Sequence, residues 1–469
     1  MLVKTRWVAV AAALALVATA CGSRLSTEDL QAGGGTGSST GSTSSGSGAE
    51  GAGITEGEGG PMVGTLPVPC GEGEEPPGPI EGVEGVSQDT IKIAVISDKA
   101  GQIKVPTASI EESMKAFVEF CNGFGGINGR TLELTTIDSK LFSHLEATDE
   151  ACNAGVFALV GSGSVTDNQG AQAMVDCDLI EVPAYTATAE KGLSDRLVAP
   201  LPNPSDSYNI GPALWVASEH PDAVKKAALL AGGIDTATVQ AERIKEAYEE
   251  AGFEFVYEKT TGVVQENYLA EAKAMQEAGV EYVNFVNSTP EAKKLLRDMN
   301  QQGFEPTVID FGQQYYDPEM LEAGDAAEGL QVLLNTVPFE EADQSDALTA
   351  YLDAYDKVGS DIEPTSLGVQ AFSAGLLFAT AVQAVGDDLT RESVLDELHT
   401  ITEWDGGGLH MVSNPGENLG NPCFMYSVVQ DGAFERLHPT EPLTFDCNRE
   451  EYVIPLGGDY GEGASAGGG

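Results

Sequence analysis

Along most of the chain, short apolar runs alternate with longer stretches whose apolar positions recur three and four residues apart. Ile91-Lys92-Ile93-Ala94-Val95-Ile96 reads as a buried strand. Ile110, Met114, Phe117, Val118 and Cys121 then share one face of a helix, and Ser109 to Glu112 has capping-box spacing. Residues 131–137 alternate as a strand, 144–153 read as a helix, and 156–160 and 180–182 as further strands. A second series starts near Ser205. Helices are expected over 209–218, 239–251, 268–278 and 291–302, with strands over 227–230, 253–257, 282–286 and 307–311. Strands separated by helices of this length imply parallel sheets with right-handed crossovers. Three more helices are expected over 347–358, 367–385 and 391–399. The middle one is apolar nearly all round, but Gln370 and Gln383 interrupt it, which favours a buried core helix over a membrane span. Residues 425–429 and 434–437 flank Asp431-Gly432 and predict a closing hairpin. With 469 residues the chain exceeds one compact core and predicts two lobes.

The first residues change the picture. Lys4 and Arg6 precede an apolar run over 8–17, and Ala18-Thr19-Ala20-Cys21 follows. A basic start, a short apolar stretch and small residues before a cleavage point describe an export signal over 1–20. Cys21 resembles the lipidated cysteine of a bacterial lipobox, although Ala18 stands where that motif usually has Leu. The alternative is an ordinary signal that leaves a free thiol. A Gly, Ser and acidic stretch follows Cys21 and reads as a flexible tether over 21–87, spanning roughly 45 Å as a coil. Residues 459–469 read as a disordered tail. Apart from Cys21 there are six cysteines, an even set suited to an oxidising compartment. Six cysteines permit about 15 pairings, and sequence alone does not fix which forms. The expected pairs are Cys152 with Cys177 and Cys423 with Cys447, since each brackets a short unit, with Cys70 and Cys121 left by elimination.

Charge then excludes several functions. There are 73 acidic residues against 24 basic ones, for a net charge of −49. Such a surface repels nucleic acid and anionic lipid headgroups, so a membrane is met through the lipid anchor alone. No Gly-x-Ser-x-Gly elbow and no paired-histidine metal motif occurs, so neither an enzyme, a metal nor a cofactor is expected. An exported hydrolase is the weakest reading.

Three stretches together resemble one family. They are the turn from Asn122 through Gly125-Gly126-Ile127-Asn128-Gly129-Arg130, the strand and loop from Val156 to Ser164, and Pro183-Ala184-Tyr185-Thr186-Ala187-Thr188. In this order they resemble the leucine/isoleucine/valine-type periplasmic substrate-binding proteins that serve ABC importers. The resemblance spans roughly residues 91–437. It implies an α/β fold of two Rossmann-like lobes with parallel sheets joined by a three-strand hinge, the type I periplasmic binding fold. Lobe one would comprise 88–203 plus 339–405, and lobe two 204–338 plus 406–458. It also implies a monomer that takes a small-molecule solute to a permease and ATPase while lipid-anchored on the outer face of the cytoplasmic membrane. The same fold can serve a sensor that signals to a membrane partner.

The residues suggest where a solute would sit. Gly161-Ser162-Gly163-Ser164-Val165-Thr166 leaves a strand toward a helix start, where free amides and hydroxyls favour an anion. The alternative is that Ser164 or Thr166 merely caps its own helix. Thr186 and Thr188 leave the next strand on the same side of the sheet. The resemblance makes Ser162, Ser164, Thr186 and Thr188 candidates for a ligand carboxylate, and Tyr185 a candidate wall. In lobe two the family's acid for an ammonium group has Gln313 or Gln314 at about its place, and the loop 231–236 lacks the family's aromatic. Asp235 or Asp310 stands as a substitute acid, though each also reads as a cap or turn residue. The solute is then an amino acid, amide, carboxylate or similar small polar molecule.

Overall fold

The computed structural model of the chain describes residues 51–57, 59–73, 77–78, 80–101, 107–458 and 460. The export signal, Cys21, the tether through residue 50 and the tail over 461–469 lie outside the described residues.

The described part begins with a small antiparallel meander: β1 (Ile54–Gly57), β2 (Gly60–Val63) and β3 (Leu66–Pro67). A parallel four-stranded sheet follows, made of β4 (Thr90–Ser97), β5 (Thr131–Asp138), β6 (Ala158–Val160) and β7 (Ile180–Val182) in the order β5-β4-β6-β7. β4, β6 and β7 are largely apolar runs because helices cover both faces, whereas the edge strand β5 alternates. Helices Ala108–Gly123 and Ser366–Val385 cover one face, where Phe117 meets Phe372 edge-on at 5.8 Å. A Cβ on Gly375 would lie 2.5 Å from the Phe117 ring, so glycine sets how closely these helices approach. Helix Ser366–Val385 is long and apolar enough to cross a membrane, yet most of it is buried in this lobe.

After β8 (Ser207–Asn209), the second lobe is built on β9 (Ala227–Gly232), β10 (Phe255–Thr261), β11 (Tyr282–Val286), β12 (Val308–Phe311) and β13 (Leu330–Leu334), all parallel. β14 (Cys423–Gln430) and β15 (Ala433–His438) add to it antiparallel, in the order β10-β9-β11-β12-β13-β14-β15. Asp431 and Gly432 turn this hairpin with φ of 51° and 77°, as their two-residue spacing requires. β16 (Asp446–Cys447) pairs with β14, and β17 (Val453–Pro455) pairs with β8.

The chain passes between the lobes three times, and the three passages bond to one another. Ser413 Oγ donates to the Pro200 carbonyl at 2.5 Å, and Asn421 Nδ2 to the Pro202 carbonyl at 2.8 Å. The Met411 amide donates to the Asn335 carbonyl, and the Val337 amide to that of Leu409, both at 3.0 Å. The expected α/β architecture of two lobes with parallel sheets and a three-strand hinge is thus observed.

Two expectations differ. Helix Ala108–Gly123 starts at Thr107 without a side-chain cap, and Ser109 lies within it, its Oγ 2.6 Å from Thr365 Oγ1. The capping-box spacing is therefore not used. The stretch expected as tether is also ordered over the described part of 51–87. Val63 is wholly buried and Val68 nearly so, in the same core as Ala347 and Ala350. Thr65 N–H donates to the Gly407 carbonyl at 3.0 Å, which ties the meander to the hinge region. Gly71 N–H then donates to the Gly126 carbonyl at 2.6 Å, and Gly129 N–H to the Gly71 carbonyl at 2.9 Å. A few apolar side chains among many glycines were enough to dock the segment.

The three disulfides join Cys70 to Cys121, Cys152 to Cys177 and Cys423 to Cys447. The first closes a loop across 51 residues and staples the meander to helix Ala108–Gly123. Replacing Cys70 and Cys121 together by Ser should cost about 2–4 kcal/mol on the chain-entropy account. Thermal unfolding measures that loss. Limited proteolysis should then cut between the meander and β4 faster than it does in the unaltered protein.

Candidate functional site

The two sheets point the C-terminal ends of their parallel strands at a shared cleft, where side-chain and backbone groups beyond the strand ends lie free of the ladders. A cavity of about 450 Å³ occupies this cleft. Lobe one supplies Leu141, Val165, Tyr185, Thr186 and Ala187, and the hinge supplies Asn203, Asn335, Met411 and Asn421. Lobe two closes the far side with Gln240, Asn284, Asp310, Gln313 and others.

Buried carboxylates set the lobe-one wall. Asp98 follows β4 and accepts from Ser139 Oγ (2.6 Å), the Leu141 amide (3.0 Å), Ser164 Oγ (3.1 Å) and the Val165 amide (2.8 Å). Asp167 accepts from the amides of Ala187 (2.7 Å) and Thr188 (3.1 Å) and from Thr188 Oγ1 (2.5 Å). Burial pushes the Asp167 carboxyl up to about 7 against these donors. Ser162 Oγ accepts from the Ile96 amide at 3.1 Å. Gly163 makes room for Tyr185, whose ring would lie 2.3 Å from a Cβ there.

The positions of the sequence-predicted residues follow. Tyr185, Thr186 and Gln313 line the cavity. The hydroxyls of Ser162, Ser164 and Thr188 are engaged beneath the wall, and Thr188 also caps the short helix Ala189–Gly192. They shape the wall rather than face the space, since each satisfies a backbone amide or a buried carboxylate. Asp235 opens helix Asp235–Glu250 and lies outside the lining, with Ile234 and Thr236 beside it at the surface of the cavity.

Two features go beyond the sequence reading, which took Gln370 only as a polar interruption of a core helix and Asp310 as a substitute acid that reads equally as a cap or turn residue. Gln370, from the buried helix Ser366–Val385, donates to Gln313 Oε1 at 3.0 Å and to Asn335 Oδ1 at 3.1 Å. One amide thus bridges lobe one, lobe two and the hinge. A polar residue in an otherwise apolar helix was its signal. The second is Asp310. It is not a turn residue but lies inside β12, 1% exposed, where Oδ2 accepts from Tyr282 Oη (2.7 Å) and Tyr426 Oη (2.9 Å). Desolvation pushes its carboxyl up to about 7 despite those donors. Its signal was hidden, because the tyrosines come from separate strands.

Ten of the cavity-lining side chains are Asn or Gln, and Asp310 is the one charged residue among the described lining residues. Amides offer donors and acceptors together without a net charge. The arrangement suits a polar solute held by hydrogen bonds, and no nucleophile with an adjacent base lines the space.

The model of the family described as periplasmic binding protein matches residues 90–433. The chain belongs to the periplasmic binding protein family. Its members are extracytoplasmic solute-binding proteins, and this binding protein is accordingly not an enzyme. It is 25% identical over 335 residues to the leucine-, isoleucine-, valine-, threonine- and alanine-binding protein of Pseudomonas aeruginosa, covering 68% of this chain and 84% of the relative. Among solved structures, the fatty acid ABC transporter substrate-binding protein from Thermomonospora curvata matches with a TM-score of 0.64 at 19% identity, covering 78% of this chain and 95% of that one. A branched-chain amino acid substrate-binding protein from Streptococcus pneumoniae, in complex with isoleucine, matches with a TM-score of 0.62 at 17% identity, covering 78% and 100%. At these identities the structural matches establish a shared fold.

Asp310 makes the binding protein's stability depend on pH in a defined sense. Its folded value of about 7 lies above the ordinary carboxyl value of 3.8, so the folded state holds the extra proton between these values. Its contribution therefore falls as pH rises from about 4 to 7, by up to roughly 4 kcal/mol. Buried His144 and His410, lowered to about 3 and about 4, act in the opposite sense over much of that window. The comparison is thus made against Asp310→Asn. Thermal unfolding at about pH 5 and about pH 8 should show the variant gaining on the unaltered protein at the higher pH. An equal gap at both would contradict an Asp310 that titrates in this window.

Proposed function

We propose that this binding protein captures a small polar solute outside the cytoplasmic membrane and presents it to the permease and ATPase of an ABC importer. The observation that carries this reading is the lining of the cavity by both lobes and the hinge, with Gln370 joining all three. A solute held there bonds to both lobes at once, so it favours the closed state over the open one. Recognition would rest on Thr186, Tyr185 and Gln313, together with Gln370 and the surrounding amides. Ser162, Ser164 and Thr188 would shape the wall, and lipidated Cys21 would hold the protein at the outer face. The matched relatives support solutes of the amino acid or small-acid kind, since their names specify branched-chain amino acids and fatty acids.

A thermal-shift screen of amino acids, amides, short carboxylates and polyols tests the reading. A true solute at about a hundredfold above its Kd adds about 2.7 kcal/mol of stability. For that solute, Thr186→Val and Gln370→Leu should each weaken binding about tenfold, equivalent to ~1.4 kcal/mol, as read by isothermal titration. A panel with no stabilising member, or a solute indifferent to both variants, would remove this reading. Membrane fractionation of Cys21→Ala should find the protein released into the soluble fraction.

A further inference from the structure

The cavity does not end at the cleft. It continues into lobe two, where Pro212, Ile244, Tyr248, Leu333 and Phe424 line it together with Tyr208. These residues belong to the apolar layer between one face of the lobe-two sheet and helices Gly211–Glu219 and Asp235–Glu250. Asp310 projects into this same layer, because its partners Tyr282 and Tyr426 are core members there. The arm is therefore mostly apolar, with one carboxylate set in its wall. Both tyrosine hydroxyls go to Oδ2, and Oδ1 accepts no hydrogen bond from any described residue. A buried acid with an unused oxygen is costly unless a donor or a cation meets it. Arg243, the nearby cation of this lobe, is committed elsewhere. It donates to the carbonyls of Pro204 (2.6 Å) and Ser207 (3.2 Å) and lies over the Tyr208 ring.

We propose that the arm receives the apolar stem of a primary ammonium compound, whose head reaches Asp310. This deepens the reading of the cavity as a solute site and rests on it. The aliphatic and aromatic walls would desolvate the stem, and Asp310 Oδ1 would take the N–H donor that the tyrosines leave it free to accept. A carboxylate head at that end would face an acid, so the arm selects against it. The groups facing Asp310 are Tyr208, Tyr248, Tyr282 and Tyr426, all pushed up by burial, and none changes charge near neutral pH. Ammonium binding should therefore strengthen as pH rises through the carboxyl's own titration.

Isothermal titration of the full chain with hexylammonium, hexanol and hexanoate tests the proposal. At about pH 8, hexylammonium should bind at least tenfold tighter than hexanol, the ~1.4 kcal/mol scale of a hydrogen bond to a charged group, and hexanoate should bind weakest. Asp310→Asn should reduce the amine to about the level of the alcohol, with a melting curve confirming that the variant folds. Ile244→Trp narrows the arm while keeping the carboxylate, so it should abolish binding of both amine and alcohol. Equal binding of amine and alcohol, tighter binding of hexanoate, or an amine affinity untouched by Asp310→Asn would each overturn the proposal. Should none of the three probes bind while a solute from the wider screen still depends on Gln370, the arm proposal fails and the cleft reading stands. Should that screen also return nothing, the cleft reading itself has failed.

Discussion

The three passages between the lobes are the constraint on which the rest depends. Each carries backbone donors and acceptors through the region between the lobes, and buried polar groups left unpaired are costly. The chain satisfies them laterally. Ser413 serves the carbonyls of both Pro200 and Trp404, Asn421 serves that of Pro202, and Asn335 and Leu409 accept from the neighbouring passage. Arg243 pins the first passage from the lobe-two side, and Asn209 Nδ2 reaches the Cys423 carbonyl at 3.0 Å on the third. Proline, fixed in φ and without a donor, suits this region. The cavity exists because these bonds hold the two strand-end surfaces face to face.

Within that frame, the carboxylates divide the labour. Asp98 and Asp167 are saturated with amides and hydroxyls from the loops they organise, so their charge is spent on shape. Asp310 has only hydroxyl donors, both on one oxygen. The same residue type is thus fully bonded in one lobe and left with an unused oxygen in the other, and the difference lies in the number of donors that burial brings to it.

Much of this was legible in the sequence. Apolar runs and helical spacing are local signals, so the alternating strands and helices of both lobes, the buried helix around Gln370 and the hairpin at Asp431-Gly432 could be read directly. Two cysteine pairings were suggested by local bracketing and the third was left by elimination, and the disulfides observed are these three. What could not be read was set by contacts distant in sequence. The segment over 54–68 looked like tether because it follows a Gly/Ser run and carries acidic residues and Pro, yet Val63 and Val68 find a core that only the folded lobe provides. The turn around Gly126 and Arg130 resembles a family motif, and here it also receives Gly71 and Gly78 of that incoming segment. Ser164 and Thr188 lie in the loops that follow β6 and β7, but which hydroxyls face the cavity depends on Asp98 and Asp167, and no spacing rule reveals that claim on them. Asp310 depends on tyrosines from two other strands.

The extreme acidity bears on the cavity through scarcity. With 24 basic residues against 73 acids, cations are the limiting group in this chain. Many of them are committed to ion pairs that hold the architecture. Lys191 pairs with Glu181 in the interior of lobe one, and Arg436 pairs with Glu341 where the closing hairpin meets the segment entering helix Asp346–Val358. Lys99 and Lys115 both hold Glu111, and Lys293 joins Glu319 and Glu322. Removing one partner from the buried pairs would strand a charge, so these cations are not free to serve a ligand. The described lining of the cleft is left with amides, hydroxyls and one acid. These groups distinguish solutes by the placement of donors and acceptors, and their contribution survives salt better than that of exposed ion pairs.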